Sequence, residues 1–235
     1  EKKVRQDILF RWAARLECPE AYIQGVDSSI QYPGSRSAIL LKYSYSDSRN
    51  VRLGIVAEKD AGEAFFSGPQ KYGFDLYSAA LQLKFKKIFR KIIIGDYHLE
   101  YGQGLSLWTG PNFSSTSDAS AIKRKSREIR PNTSASEGRF LRGLAWKMDF
   151  GKFQISPFFS SLKRDVSPVS FLDDKLEAFS AIRENGYHRT SSELLGRKAL
   201  KESLFGVIAG FSLPTFSLNI NAYKLSFDAL FVKDQ

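Results

Sequence analysis

The fold is decided by the stretch Gly95-Asp-Tyr-His-Leu-Glu-Tyr-Gly-Gln-Gly-Leu-Ser-Leu-Trp108. Its side chains alternate, with Tyr97, Leu99 and Tyr101 on one side and Asp96, His98 and Glu100 on the other. This period of two is typical of a β-strand, because successive side chains leave opposite faces of the pleat. The apolar face begins at Ile93. The strand is therefore long enough to cross a bilayer, which takes about 9–11 residues. We expect the apolar side to face lipid and the charged side to face a lumen.

Eight further segments alternate in the same way, so the sequence predicts nine strands. They lie near residues 8–16, 39–45, 51–57, 77–85, 144–148, 153–159, 205–211 and 216–222. In each segment, apolar side chains occupy one face and mostly polar side chains the other. Such strands produce no long apolar run, because only every second residue meets lipid.

The predicted connections alternate between two sizes. Short ones fall at 46–50, 86–88, 150–152 and 213–215, and long ones at about 18–37, 60–74, 104–138 and 163–202. Outer-membrane barrels have short periplasmic turns and long external loops, whereas a soluble β-sandwich has no reason to sort its loops. The sequence therefore predicts an all-β fold, an antiparallel transmembrane β-barrel. We expect residues 1–235 to form a single portion of that barrel, incomplete at both ends.

The last long loop contains two helical patterns. Apolar residues recur every three or four positions from Leu172 to Ile182, and Asn185-Gly186 would end that helix. Thr190-Ser-Ser-Glu193 matches a capping box at the start of a second helix. We expect two short helices in this loop, either packed on the rim of the barrel or placed over it as a lid.

The chain has a net charge of +10, which indicates an anionic partner. Five cations form a candidate anion-binding loop: Lys123, Arg124, Lys125, Arg127 and Arg130. This loop could hold phosphate or an acidic glycan, or it could fold inward and pair with Asp96 and Glu100. The cations form no stripe with interleaved aromatic residues, which argues against nucleic-acid binding or uptake. Nucleic-acid uptake is kept as the first alternative function.

The charged face of the central strand could also be interpreted as catalytic. Asp96, His98 and Glu100 would be spaced by about 7 Å per two residues, a distance that could serve two carboxylates around a glycosidic bond. A polar lumen wall accounts for the same residues without catalysis. The residues predicted to face the lumen are Asp96, His98, Glu100, Arg52, Glu58 and Lys84. We expect no catalytic residue and no cofactor, and the two histidines lack the spacing of a metal site.

Five motifs carry a resemblance to a known family. They are Glu58-Lys-Asp-Ala-Gly-Glu63, Gly73-Phe-Asp-Leu-Tyr-Ser-Ala79, Gly95-Asp-Tyr-His-Leu-Glu-Tyr-Gly-Gln-Gly-Leu105, Ile129-Arg-Pro-Asn-Thr-Ser134 and Gly186-Tyr-His-Arg-Thr190. From about residue 35 to 230 the chain resembles Bacteroidetes outer-membrane proteins that are labelled helix-hairpin-helix domain-containing. The resemblance covers the barrel portion only, since this sequence has no Gly-x-Gly hairpin between two helices. It implies a bacterial outer-membrane barrel.

Together, these patterns predict a non-enzymatic outer-membrane β-barrel. We expect a channel, transport or docking component whose lumen is constricted by the loops at 104–138 and 163–202. The expected partners are outer-membrane lipid and, beyond it, other envelope proteins or acidic glycans. A soluble β-sandwich that binds or acts on glycans is the second alternative.

Overall fold

The computed structural model describes residues 4–23, 31–47, 50–68, 70–110 and 126–233. Within these residues the strands are β1 (Val4–Ala14), β2 (Ser37–Asp47), β3 (Val51–Lys59), β4 (Leu76–Lys84), β5 (Phe89–Glu100), β6 (Glu128–Pro131), β7 (Leu141–Phe150), β8 (Phe153–Leu172), β9 (Lys175–Arg183), β10 (Leu200–Ser212), β11 (Ser217–Phe227) and β12 (Leu230–Phe231). Helix α1 spans Ser191–Leu195, and a single 3-10 turn spans Glu20–Tyr22. None of the helices in the described ranges is long and apolar enough to span a membrane.

Nine of the strands form one continuous antiparallel sheet in the order β1-β2-β3-β4-β5-β7-β8-β10-β11. The three others extend it: β6 pairs with the end of β5, β9 pairs with the far half of β8, and β12 runs parallel to β9. The predicted all-β class and the nine predicted strands are confirmed. The sheet is not closed into a barrel, because β1 and β11 form its two edges.

The connections within this sheet are short at one end and long at the other. Links of only two to four residues join β2 to β3, β4 to β5, β7 to β8, and β10 to β11. The long links cover residues 15–36, 60–75, 101–140 and 173–199. The third of these contains β6, and the fourth contains β9 and α1. The predicted alternation of short and long connections is therefore confirmed.

One face of the sheet, which we call the outer face, is apolar. A row of residues crosses seven strands on this face, each directly opposite the next: Tyr45, Leu53, Leu81, Ile94, Leu144, Phe159 and Phe205. None of these seven side chains is buried. The intervening residues point to the opposite face, which we call the inner face. The inner face is covered in part by β6 and the long links, and it contains most of the core.

The central strand separates from β4 at Gly95 while it stays paired with β7. β4 pairs with β5 only as far as Ala80 and Gly95, and beyond this point β5 pairs with β6 on that side. Gly95 has a φ of +97°, and a Cβ there would lie 2.2 Å from the carbonyl oxygen of Ala79. Glycine adopts this conformation without a steric penalty. The end of β5 therefore turns inward, away from β4.

The faces predicted for the end of β5 are wrong. Tyr97, Leu99 and Tyr101 were expected to face lipid, but they belong with Ile93 to the main hydrophobic core. Leu99 is 0% exposed, whereas Ile94, on the other side of the strand, is 48% exposed on the outer face. Because β5 moves inward after Gly95, protein covers both of its faces. Alternation along this segment therefore does not indicate which face meets lipid and which face meets a lumen.

The loop that was predicted to hold two helices holds one. Lys175–Arg183 forms β9, paired with β8, so the helix predicted from Leu172 to Ile182 is wrong. A short apolar pattern does not distinguish a helix from a strand, and pairing with the long β8 favours the strand. The capping box of Thr190 and Glu193 is confirmed, and α1 follows it.

Gly95→Ala is expected to destabilise the fold more than glycine replacement at a turn. An alanine at a left-handed φ costs about 1–3 kcal/mol in strain, and at Gly95 the close approach of Ala79 adds to this cost. Gly151→Ala is the matched control, because Gly151 has a φ of +81° but no atom within 4 Å of a Cβ. Urea unfolding of the chain measures both losses. Equal losses would show that β5 does not approach β4 this closely.

Candidate functional site

The gap that β5 leaves beside β4 is filled by Arg142 of β7. Its guanidinium donates two hydrogen bonds to Asp96, at 2.6 and 2.8 Å, and a third to the carbonyl oxygen of Tyr77 at 2.8 Å. Tyr77 lies in β4 beyond the last pair with β5, so this carbonyl has lost its neighbouring strand. Asp96 is buried, while Arg142 reaches the surface. The ion pair thus takes the place of the missing backbone ladder.

His98 is buried, and both of its ring nitrogens lie against neutral groups. Its Nδ1 lies 3.1 Å from the carbonyl oxygen of Thr109, and its Nε2 lies 3.2 Å from Oδ1 of Asn132. The amide nitrogen of Asn132 reaches the hydroxyl of Ser78 in β4 at 3.4 Å. These bonds connect the end of β5 to the inner face of β4 through the segment after β6. His98 therefore has a structural explanation that requires no substrate.

Glu100 is fully buried and pairs with two arginines of the candidate anion-binding loop. Nε of Arg130 donates to Oε1, and Nε of Arg127 lies 3.3 Å from Oε2. The other three loop cations, Lys123, Arg124 and Lys125, lie outside the described residues. For Arg127 and Arg130, the inward-folded alternative is confirmed, with Glu100 as the carboxylate.

The three remaining residues that were predicted to face a lumen are more accessible. Arg52 and Lys84 are exposed, and Glu58 is partly buried with its Oε1 3.7 Å from Arg11. Arg52 shares a cleft of about 340 Å³ with Arg127 and Arg130. Asp96, His98 and Glu100, by contrast, are buried and paired, so the six predicted residues do not form one open surface.

A second polar cluster, which the sequence did not predict, is centred on His188. The His188 side chain is only 2% exposed. Its Nδ1 is hydrogen-bonded to Asp75, its Nε2 lies 3.0 Å from Asp165, and its backbone N–H donates to Glu63 at 3.0 Å. The carboxylate of Glu137 lies beside Asp165 and the ring. We call these five residues the His188 cluster.

The His188 cluster connects segments that are far apart in the chain. Its members come from the β3–β4 link (Glu63 and Asp75), the β6–β7 link (Glu137), β8 (Asp165) and the β9–β10 link (His188). Two cations next to α1 strengthen it, because Arg197 lies 2.8 Å from the Asp75 carboxylate and Lys198 donates to the Asp75 carbonyl at 2.9 Å. These contacts hold three of the long links together at the same end of the sheet.

Burial and charge change the proton affinities of this cluster. Burial by itself lowers the pKa of His188, but the hydrogen bonds to Asp165 and Asp75 outweigh it and raise the pKa to about 9. Burial, followed by the charge of Asp75, raises the pKa of Glu137 to about 8. At neutral pH, His188 is therefore an imidazolium held between two carboxylates.

The cluster also approaches the geometry of a metal site. Glu63, Asp75 and His188 place ligand atoms within 4.8 Å of one another, and so do Glu137, Asp165 and His188. A metal ligand must be a neutral imidazole, whereas both nitrogens of His188 face carboxylates. A divalent ion would have to displace the ring proton. The geometry fits a charge-bridging imidazolium better, and the expected absence of a metal site stays a prediction.

Several residues of the His188 cluster, and one partner of His98, belong to the motifs that carry the family resemblance. Glu63 closes the first motif, and the others contain Asp75, Asn132 and His188. Spacing could not connect them, since Asp75 and His188 are 113 residues apart. Comparison of the chain with protein-family models, curated proteins and solved structures gives no match. A function therefore has to be inferred from the geometry of the chain itself.

Proposed function

We propose that the chain forms part of the wall of a non-enzymatic β-barrel in a bacterial outer membrane, where it acts as a channel or docking component. The observation that carries this proposal is the outer face, whose apolar row runs unbroken from Tyr45 to Phe205. Further exposed apolar side chains surround that row: Ile8, Phe10, Trp12, Leu41, Ile55, Tyr77, Phe153, Ile155, Val207, Leu218 and Ile220. In water, a surface of this extent marks an interaction site, and in lipid it is the ordinary exterior of a barrel.

The shape of the sheet supports the same proposal. Eight of its nine strands are 9–13 residues long, and β8 has 20 residues. Crossing a bilayer takes about 9–11 residues, and each strand is therefore long enough to do so. Backbone groups at an open sheet edge cannot face lipid unpaired. We therefore propose that further strands complete the barrel beside β1 and β11.

The inner face supports a narrow lumen. The end of β5 and the paired β6 occupy this face near the long links. The His188 cluster fastens three of those links together at the same end. A soluble β-sandwich would instead need a second sheet against the outer face, and none of the seven residues of the outer row is buried. The exposed row thus favours the membrane over the sandwich.

Ile94→Arg tests the membrane location. Ile94 is central in the outer row, so an arginine there should cost about 2–4 kcal/mol in a bilayer. In a soluble protein, an exposed position of this kind usually changes stability by no more than about 0.5 kcal/mol. Urea unfolding in lipid vesicles, monitored by tryptophan fluorescence, measures the loss in free energy of unfolding.

Leu105→Arg is the matched control for that experiment. Leu105 is 97% exposed in the loop after β5, so its replacement should change the free energy of unfolding by less than about 0.5 kcal/mol. The wild-type chain should also require detergent and migrate differently on a gel before and after boiling. A monodisperse particle in plain buffer, unaffected by either substitution, would refute the membrane proposal.

A further inference from the structure

Three lysines lie directly opposite one another on the inner face. Lys84 of β4 pairs with Lys91 of β5, and Lys91 pairs with Lys147 of β7. Like charges in directly opposed positions destabilise a sheet. A row of three such residues therefore calls for a compensating negative charge.

Protein groups compensate this row only in part. Nζ of Lys147 lies 2.6 Å from both carboxylate oxygens of Glu128. Nζ of Lys91 donates to the neutral carbonyl oxygen of Ile129 at 2.6 Å, and the charge of Glu128 acts on Lys91 as well as on Lys147. Within the described residues, no hydrogen bond or ion pair is made by the side chain of Lys84. Most of the positive charge is thus left for another partner.

The lysine row continues into two clefts through Arg52. Arg52 shares one cleft with Lys84 and Asp47, and the larger one with Arg127 and Arg130. Hydroxyl groups also line the larger cleft, those of Ser44, Ser46 and Thr133. One nitrogen of Arg130, Nη2, is buried and has no hydrogen-bond partner in the part of the chain that the structure describes. The larger cleft is therefore lined by three arginines and by the hydroxyl groups of two serines and a threonine, all of which are hydrogen-bond donors.

The charges of this region do not balance. The cations are Lys84, Lys91, Lys147, Arg52, Arg127 and Arg130, and the carboxylates beside them are Asp47, Glu100 and Glu128. Six positive charges against three negative ones leave an excess of three among these residues. An anion held between the lysine row and the arginines would reduce the repulsion along both.

We propose that these six cations form an anion track along the inner face, which binds small oxyanions of the phosphate type. Guanidinium groups match the oxygens of such anions through paired N–H donors, while lysines contribute point charges. The larger cleft, at about 340 Å³, is within the size range of small-molecule sites. The transport role of the track rests on the proposed channel function, whereas its anion binding does not.

Ion selectivity tests the transport role. The complete barrel, with the strands that close the sheet beside β1 and β11, is reconstituted in planar bilayers under a potassium chloride gradient. It should show a reversal potential that favours anions. Lys84→Glu should lower the anion-to-cation permeability ratio by about threefold, because it reverses one charge of the track. Lys152→Glu, at an exposed position in the β7–β8 turn, makes the same change in net charge and should leave the ratio unchanged.

Phosphate binding tests the track without requiring conductance. Inorganic phosphate should raise the Tm of the detergent-solubilised, lipid-free chain at constant ionic strength, with chloride as the comparison, because it binds the folded state. Lys84→Glu should weaken the apparent affinity for phosphate about tenfold. Lys152→Glu should again behave like the wild type. The absence of lipid ensures that dissolved phosphate, and not a lipid headgroup, is the ligand.

The two measurements separate the two proposals. Phosphate stabilisation that only Lys84→Glu reduces, with no conductance, would support the anion track and overturn the channel. Conductance without anion preference, or equal effects of the two substitutions, would overturn the track and retain the channel. No conductance together with no response to phosphate would overturn both.

Discussion

Replacing His188 with glutamine is expected to lower the free energy of unfolding by about 3–5 kcal/mol at neutral pH, as when one partner of a buried ion pair is removed. The imidazolium is buried, with Asp75 at Nδ1 and Asp165 at 3.0 Å from Nε2. Glutamine keeps polar atoms but not the positive charge. The carboxylates of Asp75 and Asp165 would then face each other without the positive charge between them. Urea unfolding of the full chain measures the loss.

His98→Gln provides the matched control for this substitution. His98 is also buried, but its ring nitrogens face the neutral Thr109 carbonyl and Asn132 amide. Because glutamine can replace neutral hydrogen bonds, the loss should stay at about 0.5–1.5 kcal/mol. Similar losses at the two histidines would mean that His188 stabilises the fold by packing and not by charge.

The effect of the His188 substitution should also depend on pH. Its folded-state pKa of about 9 lies above the ordinary value of 6.5, so the stability it contributes is complete below pH 6.5 and is lost as the pH rises through 9. Glu137 acts in the same direction, since its pKa of about 8 lies above the ordinary 4.5. Wild-type stability should therefore decline as pH rises, and His188→Gln should flatten the decline between pH 6.5 and 9.

The strands of the sheet could be predicted because alternation is a local property. Alternation in its own residues indicates each strand of the main path, although Arg142 interrupts the pattern in β7 and β8 extends into the predicted loop at 163–202. Turn-forming residues mark the short links. The inward turn of β5 could not be predicted in the same way. Alternation continues through Gly95 into Asp96 and Tyr97, while the neighbour of the strand changes from β4 to β6.

The functional clusters depended on contacts that no local pattern contains. The Asp96–Arg142 pair joins β5 to β7, and no pattern within either strand shows that the two are neighbours. The partners of His188 lie in two other links and in β8, so periodicity carries no information about them. The motifs that carry the resemblance contained several of these residues, but not their pairing. Tertiary packing brings the residues of the site together. It is also the reason that Lys175–Arg183 forms β9 and not the predicted helix.

Leu99→Ala should distinguish the inward position of β5 from the lipid-facing one that its sequence predicts. Leu99 is 0% exposed and lies in the core with Ile93 and Tyr97, so truncation should leave a cavity and cost about 2–5 kcal/mol. Leu41→Ala is the control on the outer face, where Leu41 is 38% exposed. Lipid or solvent can fill the space there, so the loss should be under about 1.5 kcal/mol. Equal losses in vesicle-based unfolding would place Leu99 on the lipid-facing wall and contradict the inward turn at Gly95.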